Sequence, residues 1–137
     1  MLREHTTRLR VRYDETDPMG VVHHSNYLKY FEIGRTELLR ASGGRYRDVE
    51  AIGFLIVVVH VDCRYRRPAK YDDVLFVHTR IDRVTAGKII HQYEITLGDG
   101  EKDTGQVLVD ATVTLAVVNR AGELQRVPEE LRLELGE

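Results

Sequence analysis

Apolar and charged residues alternate along the first stretch of the chain. Leu9, Val11 and Tyr13 stand between arginines within residues 7–13. Because successive side chains of a β-strand point to opposite faces, this period of two predicts a strand with one face towards solvent.

A helical pattern replaces the alternation between Asn26 and about Ala41. Tyrosine, phenylalanine and leucine side chains recur there at spacings of three and four residues. This spacing predicts one long helix with a wide apolar face. Ser25 or Asn26 can cap the start of the helix, and the glycines at 43–44 can end it.

Four further strands are predicted in the rest of the chain. Each is a run of β-branched residues or of alternating apolar and polar residues that ends at a turn signal. They cover residues 54–67, 73–83, 88–97 and 106–118, and Pro128 begins a short tail that can form one helical turn. Short turns make neighbouring strands antiparallel. We therefore expect a single α+β domain over residues 1–137, in which a curved five-stranded antiparallel sheet wraps around one long central helix.

The composition narrows the class of protein. The chain has 31% charged and 42% hydrophobic residues and a net charge of −2, which argues against nucleic acid as a partner. We expect neither a signal peptide nor a membrane span, because no apolar run is long enough. Cys63 is the single cysteine, so we expect a cytoplasmic protein. Apolar residues on both faces of some strands, such as Ile89 beside Ile90, predict an oligomer.

The segment YDETDPMGVVHHSNYLKYFE, residues 13–32, has the most unusual composition of the chain. Three carboxylates, a Pro-Met-Gly turn and two histidines precede the predicted helix. Pro18 biases Asp17 towards an extended backbone, and Gly20 permits a positive φ or a close approach of the backbone to a ligand. By itself the pattern predicts a tight turn between the first strand and the helix.

The order of residues in this segment resembles the hot-dog-fold acyl-CoA thioesterases. A second segment, RYRRPAKYDDVL at residues 64–75, is similar to a later signature of that family. The subgroup is the 4-hydroxybenzoyl-CoA thioesterase family, which includes the thioesterase associated with the bacterial Tol–Pal system. The matching positions in the first segment are Tyr13, Thr16, Asp17, Gly20, Val21, Val22, His24, Asn26, Tyr27, Phe31 and Glu32.

The resemblance implies an acyl-CoA thioesterase with Asp17 as its catalytic carboxylate, acting as nucleophile or as general base. It also implies that the backbone amide of His24, at the start of the helix, polarises the thioester carbonyl. The His24 side chain is a further candidate acid, base or hydrogen-bonding group. Asp14 and Glu15 are rival carboxylates for the catalytic role.

Several other residues are candidates for binding substrate. The cations among them could contact the phosphates of coenzyme A, although a solvated edge strand would carry a similar cluster. The aromatic candidate could equally be part of the core. The candidates are Gly20, Val21, Val22, Asn26, Tyr27, His60, Arg64, Arg66, Arg67, Lys70 and Lys88.

The resemblance implies no metal or prosthetic group, since coenzyme A is part of the substrate. Adjacent histidines are expected to point apart, which argues against a metal site built from His23, His24 and Asp17. A homodimer or homotetramer is implied, with the active site at the dimer interface. A hydratase or dehydratase on the same fold and a non-catalytic acyl-CoA-binding module are the alternatives, and the acyl group stays open.

Overall fold

An antiparallel sheet packs against one long helix in the computed structural model, which describes residues 2–132. The strands lie in the order β1–β3–β4–β5–β2, and β6 pairs with the end of β5. Within the described residues, no helix is long and apolar enough to cross a membrane. The elements are β1 (Glu4–Arg10), a 3-10 turn (Tyr13–Glu15), α1 (Ser25–Ala41), α2 (Tyr46–Ala51), β2 (Leu55–Tyr65), β3 (Val74–Val84), β4 (Lys88–Gly98), β5 (Asp103–Val118), β6 (Leu124–Gln125) and a second 3-10 turn (Glu129–Leu131).

This architecture confirms the predicted α+β fold, with a two-residue sixth strand that the pattern does not predict. Alternate residues of β4 face the core, because Ile89, His91, Tyr93 and Ile95 are all buried. Burial lowers the pKa of His91 to about 3, so a neutral imidazole packs there.

The first strand lies earlier than its pattern predicts. It ends at Arg10, and although Val11 is buried as expected, Tyr13 is 76% exposed. The chain leaves the strand because the Glu15 carboxylate accepts the Arg12 N–H at 2.8 Å and Tyr13 begins a 3-10 turn. The prediction that Tyr13 shares the apolar face of a strand is therefore wrong.

Helix α1 begins with a different cap from the one expected. His24 is the N-cap, and no side chain at that position accepts a helical N–H. Instead, His23 Nδ1 accepts the Ser25 N–H at 3.2 Å. The Asn26 side chain does not cap the helix, because its Nδ2 donates to the Glu15 carbonyl. At the other end Gly43 has a φ of +88°, so the predicted glycine termination is confirmed.

The core lies between α1 and the inner face of the sheet. Phe31 is fully buried and stacks on Tyr93 with 4.6 Å between ring centroids. Gly34 lies where the helix comes nearest to the sheet: a Cβ atom there would lie 2.9 Å from Val77 Cγ1 and would also collide with Thr79 Oγ1. The missing side chain sets the depth of α1 on the sheet, and thereby the place of its N-terminus.

Candidate active site

Residues 16–22 form a closed loop between the first 3-10 turn and α1. Thr16 pairs with Val22, the Asp17 N–H donates to the Val21 carbonyl at 2.8 Å, and the Gly20 N–H donates to the Asp17 carbonyl at 2.9 Å. Gly20 has a φ of +81°, a conformation that most side chains avoid. The backbone of this loop therefore gives Asp17 a defined position.

The Asp17 carboxylate is half-buried and only partly used by the protein. Its Oδ1 accepts the Met19 N–H at 2.8 Å. Within residues 2–132, no donor lies within hydrogen-bond distance of Oδ2. One carboxylate oxygen is held and the other is available for chemistry.

The start of α1 offers an unused backbone donor. The neighbouring amides are occupied, since the His23 N–H donates to the Glu15 carbonyl at 2.9 Å and the Asn26 N–H to the His23 carbonyl at 2.9 Å. Across residues 2–132 the His24 N–H has no acceptor. The positive end of the helix dipole lies at this donor, which suits it to hold a developing negative charge.

The two adjacent histidines lie together rather than apart. The His23 and His24 rings stack with 4.3 Å between centroids, so the expectation that they point apart is wrong. The reason is that His23 Nδ1 is bound by Ser25 Oγ at 2.8 Å, which turns its ring along the helix start. Among the described residues, no three His, Cys, Asp or Glu side chains are grouped so that they could hold a metal ion.

Glu15 lies inside the protein, although the sequence suggests it only as a rival catalytic group. The residue is 4% exposed, and its side chain accepts hydrogen bonds from the Arg12 N–H, the Tyr30 hydroxyl at 2.9 Å and Lys29 Nζ. Burial alone would raise the pKa of this carboxyl, but the bonds from Lys29, Arg12 and Tyr30 outweigh burial and lower it. Glu15 is therefore ionised at neutral pH.

The Glu15→Gln variant should reveal this charge as a pH-dependent loss of stability. Because the pKa is lowered on folding, the stabilisation is full above the unfolded value of about 4.3 and is lost as the pH falls through the folded value. We expect Gln to cost about 1–3 kcal/mol at pH 7 and less at pH 3.5, as measured by urea unfolding. The exposed Asp14→Asn is the control, and an equal deficit at both pH values would contradict the prediction.

The apolar and amide residues of the motif join the loop to the rest of the fold. Tyr27 is buried, and its hydroxyl accepts the Ala69 N–H at 3.3 Å. The Val22 N–H donates to the Ala69 carbonyl at 2.8 Å, and Val21 pairs with Lys70. These contacts bring the motif to the segment that follows β2, which is part of the second signature.

The basic candidates divide into two groups. Lys70 is exposed and pairs with Val21 of the loop, and Arg67 is exposed three residues before it. Arg64 pairs with Asp110 across the strands and Arg66 forms an ion pair with the same Asp110, so both lie on the outer face of the sheet. Lys88 lies at the other end of the sheet. It pairs with Ala116, whereas Tyr65, near the loop, pairs with Val109, which places the two ends roughly 23 Å apart along β5.

His60 is also separated from the loop within one chain. It is exposed on β2 and pairs with Thr114, just after a bulge that follows Val58. It lies five residues before Tyr65, or roughly 16 Å along the strand. Within this one chain, neither His60 nor Lys88 lies beside the loop that carries Asp17.

A surface cavity lies away from the loop. It measures about 770 Å³ and lies on the outer face of the sheet, where His78, Arg80, Glu94 and Asp110 are among the residues that line it. Arg66 forms an ion pair with Asp110 there, and His78 Nε2 lies 2.8 Å from Asp103 Oδ2. Neither Asp17 nor His24 lines this cavity. Residues 18–20 and His24 are exposed at the surface of the single chain.

Tyr65 is a neighbour of the site that the sequence did not single out. Its ring lies 6.2 Å from His24 and 5.5 Å from Tyr27, and its side chain is 51% exposed. Partial burial, together with a contact to Cys63, raises the pKa of Tyr65 to about 12, so the hydroxyl is protonated. Its place at the end of β2, inside the second signature, is the signal that could have found it.

Comparison with known proteins identifies the family. Residues 11–135 match the thioesterase-like superfamily. The protein YneP of Bacillus subtilis is 41% identical over 93 residues, which cover 68% of this chain and 67% of YneP. The acyl-CoA thioesterase YbgC of Haemophilus influenzae is 32% identical over 90% of this chain and 88% of its own length.

A solved structure agrees with these relatives. The crystal structure of a "Probable Thioesterase" from Bartonella henselae is 33% identical, with a TM-score of 0.81 over 91% of this chain and 99% of that one. The resemblance to thioesterases in the motif is thereby confirmed. Because the match covers most of the sequence and the fold is the one that the family has, this chain belongs to the thioesterase-like superfamily of hot-dog-fold enzymes.

Proposed function

We propose that this enzyme hydrolyses acyl-CoA thioesters to a carboxylic acid and free coenzyme A, with water as the second substrate. The observation that carries the proposal is a pair of groups at the motif, the second Asp17 oxygen and the His24 N–H, which have no hydrogen-bond partner among residues 2–132. The name of the Haemophilus influenzae relative, an acyl-CoA thioesterase, supports the same substrate class.

The proposed reaction divides the work between these two groups. The His24 N–H donates to the thioester oxygen and stabilises the negative charge that develops there. Asp17 then attacks the carbonyl carbon, coenzyme A leaves as the thiolate, and water hydrolyses the resulting anhydride. Alternatively, Asp17 accepts a proton from the water that attacks directly. Both routes give the same products.

The proposal requires no metal or prosthetic group. The helix amide supplies charge stabilisation, and the Asp17 carboxylate supplies the nucleophile or base. A cytoplasmic location is part of the proposal, because Cys63 is a free thiol and coenzyme A is an intracellular cofactor.

We also propose that a homodimer, alone or paired into a tetramer, completes the site. Strand β2 is an edge of the sheet, and Val58 and Val59 are about half exposed on it, at 49% and 51%. An apolar edge with unpaired backbone groups is suited to pair with the same edge of a second copy. Such a seam would cover β2 beside Tyr65 and could bring the second copy's His60 or Lys88 towards Asp17.

The Val58→Asp variant tests the seam. Across a two-fold axis the new carboxylates would lie near each other and repel, so we expect dimer dissociation to rise at least about tenfold. Light scattering after size exclusion measures the mass, and thiol release measures activity, which should fall with the dimer. Leu124→Asp, at an exposed residue of β6, is the control. A dimer that is unchanged in Val58→Asp would mean that β2 is not the seam.

Thiol release from acyl-CoAs tests the function itself. The panel should run from short aliphatic through long aliphatic to benzoyl thioesters, and turnover of any of them supports the proposal and names the acyl class. Binding without thiol release would indicate a non-catalytic acyl-CoA-binding module. Hydration of an enoyl-CoA without thiol release would indicate a hydratase.

A further inference from the structure

The Glu15 side chain joins the end of the first strand to the first turns of α1. Its Oε1 accepts the Arg12 N–H at 2.8 Å and the Tyr30 hydroxyl at 2.9 Å, and its Oε2 accepts Lys29 Nζ. Both Lys29 and Tyr30 belong to α1. A single buried carboxylate therefore fixes the strand end against the helix.

The Glu15 backbone makes a second connection, to the residues around the His24 amide. Its carbonyl accepts the His23 N–H at 2.9 Å and Asn26 Nδ2 at 2.9 Å. His23 directly precedes the residue whose amide is free. The position of the His24 N–H thus depends on Glu15.

Glu15 also fixes the segment of chain that leads to Asp17. Thr16, which follows Glu15 directly, pairs with Val22 and closes the loop that carries Asp17. Glu15 therefore fixes the positions of both reactive groups. Asp17 follows it by two residues in the closed loop, and the His24 N–H follows His23, whose own N–H donates to the Glu15 carbonyl.

A buried charge at this position calls for an explanation beyond packing. Removing a carboxylate from water is costly, and an apolar side chain of similar size often serves stability as well or better. An apolar side chain could not bind three donors at fixed directions, however, and reacting groups need placement to within about 0.5 Å.

We infer that Glu15 is a positioning residue for thioester hydrolysis, which holds Asp17 and the His24 N–H in one rigid unit with α1. This inference rests on the proposed function. Glu15 does not touch the substrate, because it is enclosed by its own donors. Lys29, whose side chain is 46% exposed, is its cationic partner at the surface.

Glu15→Gln is the main test, since it keeps the shape of the side chain and removes the charge. We expect kcat for a turned-over acyl-CoA to fall at least about tenfold while KM stays within about threefold. Circular dichroism at the assay temperature must show a folded variant. Asp14→Asn, one residue away and exposed, is the matched control and should keep the activity of the wild type.

A double variant separates positioning from independent catalysis. If Glu15 acts through Asp17, then Glu15→Gln combined with Asp17→Asn should lose less than the product of the two single losses. If the losses multiply in full, Glu15 does not act through Asp17, and the inference that it positions Asp17 is overturned.

Hydrogen exchange gives a readout that does not need activity. Amides in residues 13–24 should exchange at least about threefold faster in Glu15→Gln, while those of β4 and β5 should speed up only by the factor that the global loss of stability gives. A wild type without thioester turnover would overturn the proposed function and this inference together. Normal turnover in the wild type, with kcat and exchange both unaltered in Glu15→Gln, would overturn the inference alone.

Discussion

Asp17→Asn is expected to lower kcat for thioester hydrolysis about 100-fold, with KM little changed. Asparagine can still accept the Met19 N–H that Asp17 Oδ1 accepts at 2.8 Å, so the loop should keep its shape. The amide cannot attack a carbonyl as a carboxylate does, and it cannot take a proton from water. The expected loss corresponds to about 2.7 kcal/mol of transition-state stabilisation.

Asp14→Asn provides the control for this measurement. Asp14 is exposed, and its carboxylate lies 3.5 Å from the Arg12 guanidinium, so its loss should leave kcat within about twofold of the wild type. Steady-state thiol release by both variants, at several substrate concentrations, separates kcat from KM. Full activity in Asp17→Asn, with a large loss in Asp14→Asn, would transfer the catalytic role to Asp14.

The sheet and the long helix are predictable because their patterns are local. Alternation in β4 identifies the buried face through Ile89, Tyr93 and Ile95, since each pairs with neighbours that point the same way. Tyr13 departs from this alternation because the Glu15 carboxylate accepts the Arg12 N–H and the chain leaves the strand there. A period of two carries no information about such a side-chain contact, so the boundary had to come from the structure.

Part of the candidate site can likewise be predicted from the sequence, and part cannot. Asp17 and the helix start follow from a contiguous motif, and the structure gives them a closed loop and a free donor. Glu15 looks like a third loop acid until Lys29 and Tyr30 are folded against it, some fifteen residues later in the chain. Lys88 shows the opposite case, because its charge suggests a phosphate contact but its strand register places it far from the loop of its own chain.

Gly34→Val is expected to destabilise the fold by about 3 kcal/mol, the upper part of the range for overpacked cores. The Cβ alone would lie 2.9 Å from Val77 Cγ1 and would meet Thr79 Oγ1. Both neighbours are β-branched residues on a central strand, with few alternative rotamers, so they cannot move aside easily. Two further methyl groups would push α1 away from the sheet.

The smaller substitution, Gly34→Ala, distinguishes helix propensity from packing by the sign of its effect on the free energy of unfolding. In an exposed helix this change stabilises by about 1 kcal/mol. Overpacking costs about 1–3 kcal/mol, so the variant should range from neutral to about 2 kcal/mol less stable. Gly87→Ala is the control, because nothing lies within 4 Å of a Cβ there. Urea unfolding of all three variants gives the comparison, and a stabilised Gly34→Ala would mean that α1 does not lie as close to Val77 and Thr79 as described.

Because the same helix carries the His24 amide at its start, displacement of α1 in Gly34→Val should also lower thioester turnover under conditions where the variant is still folded.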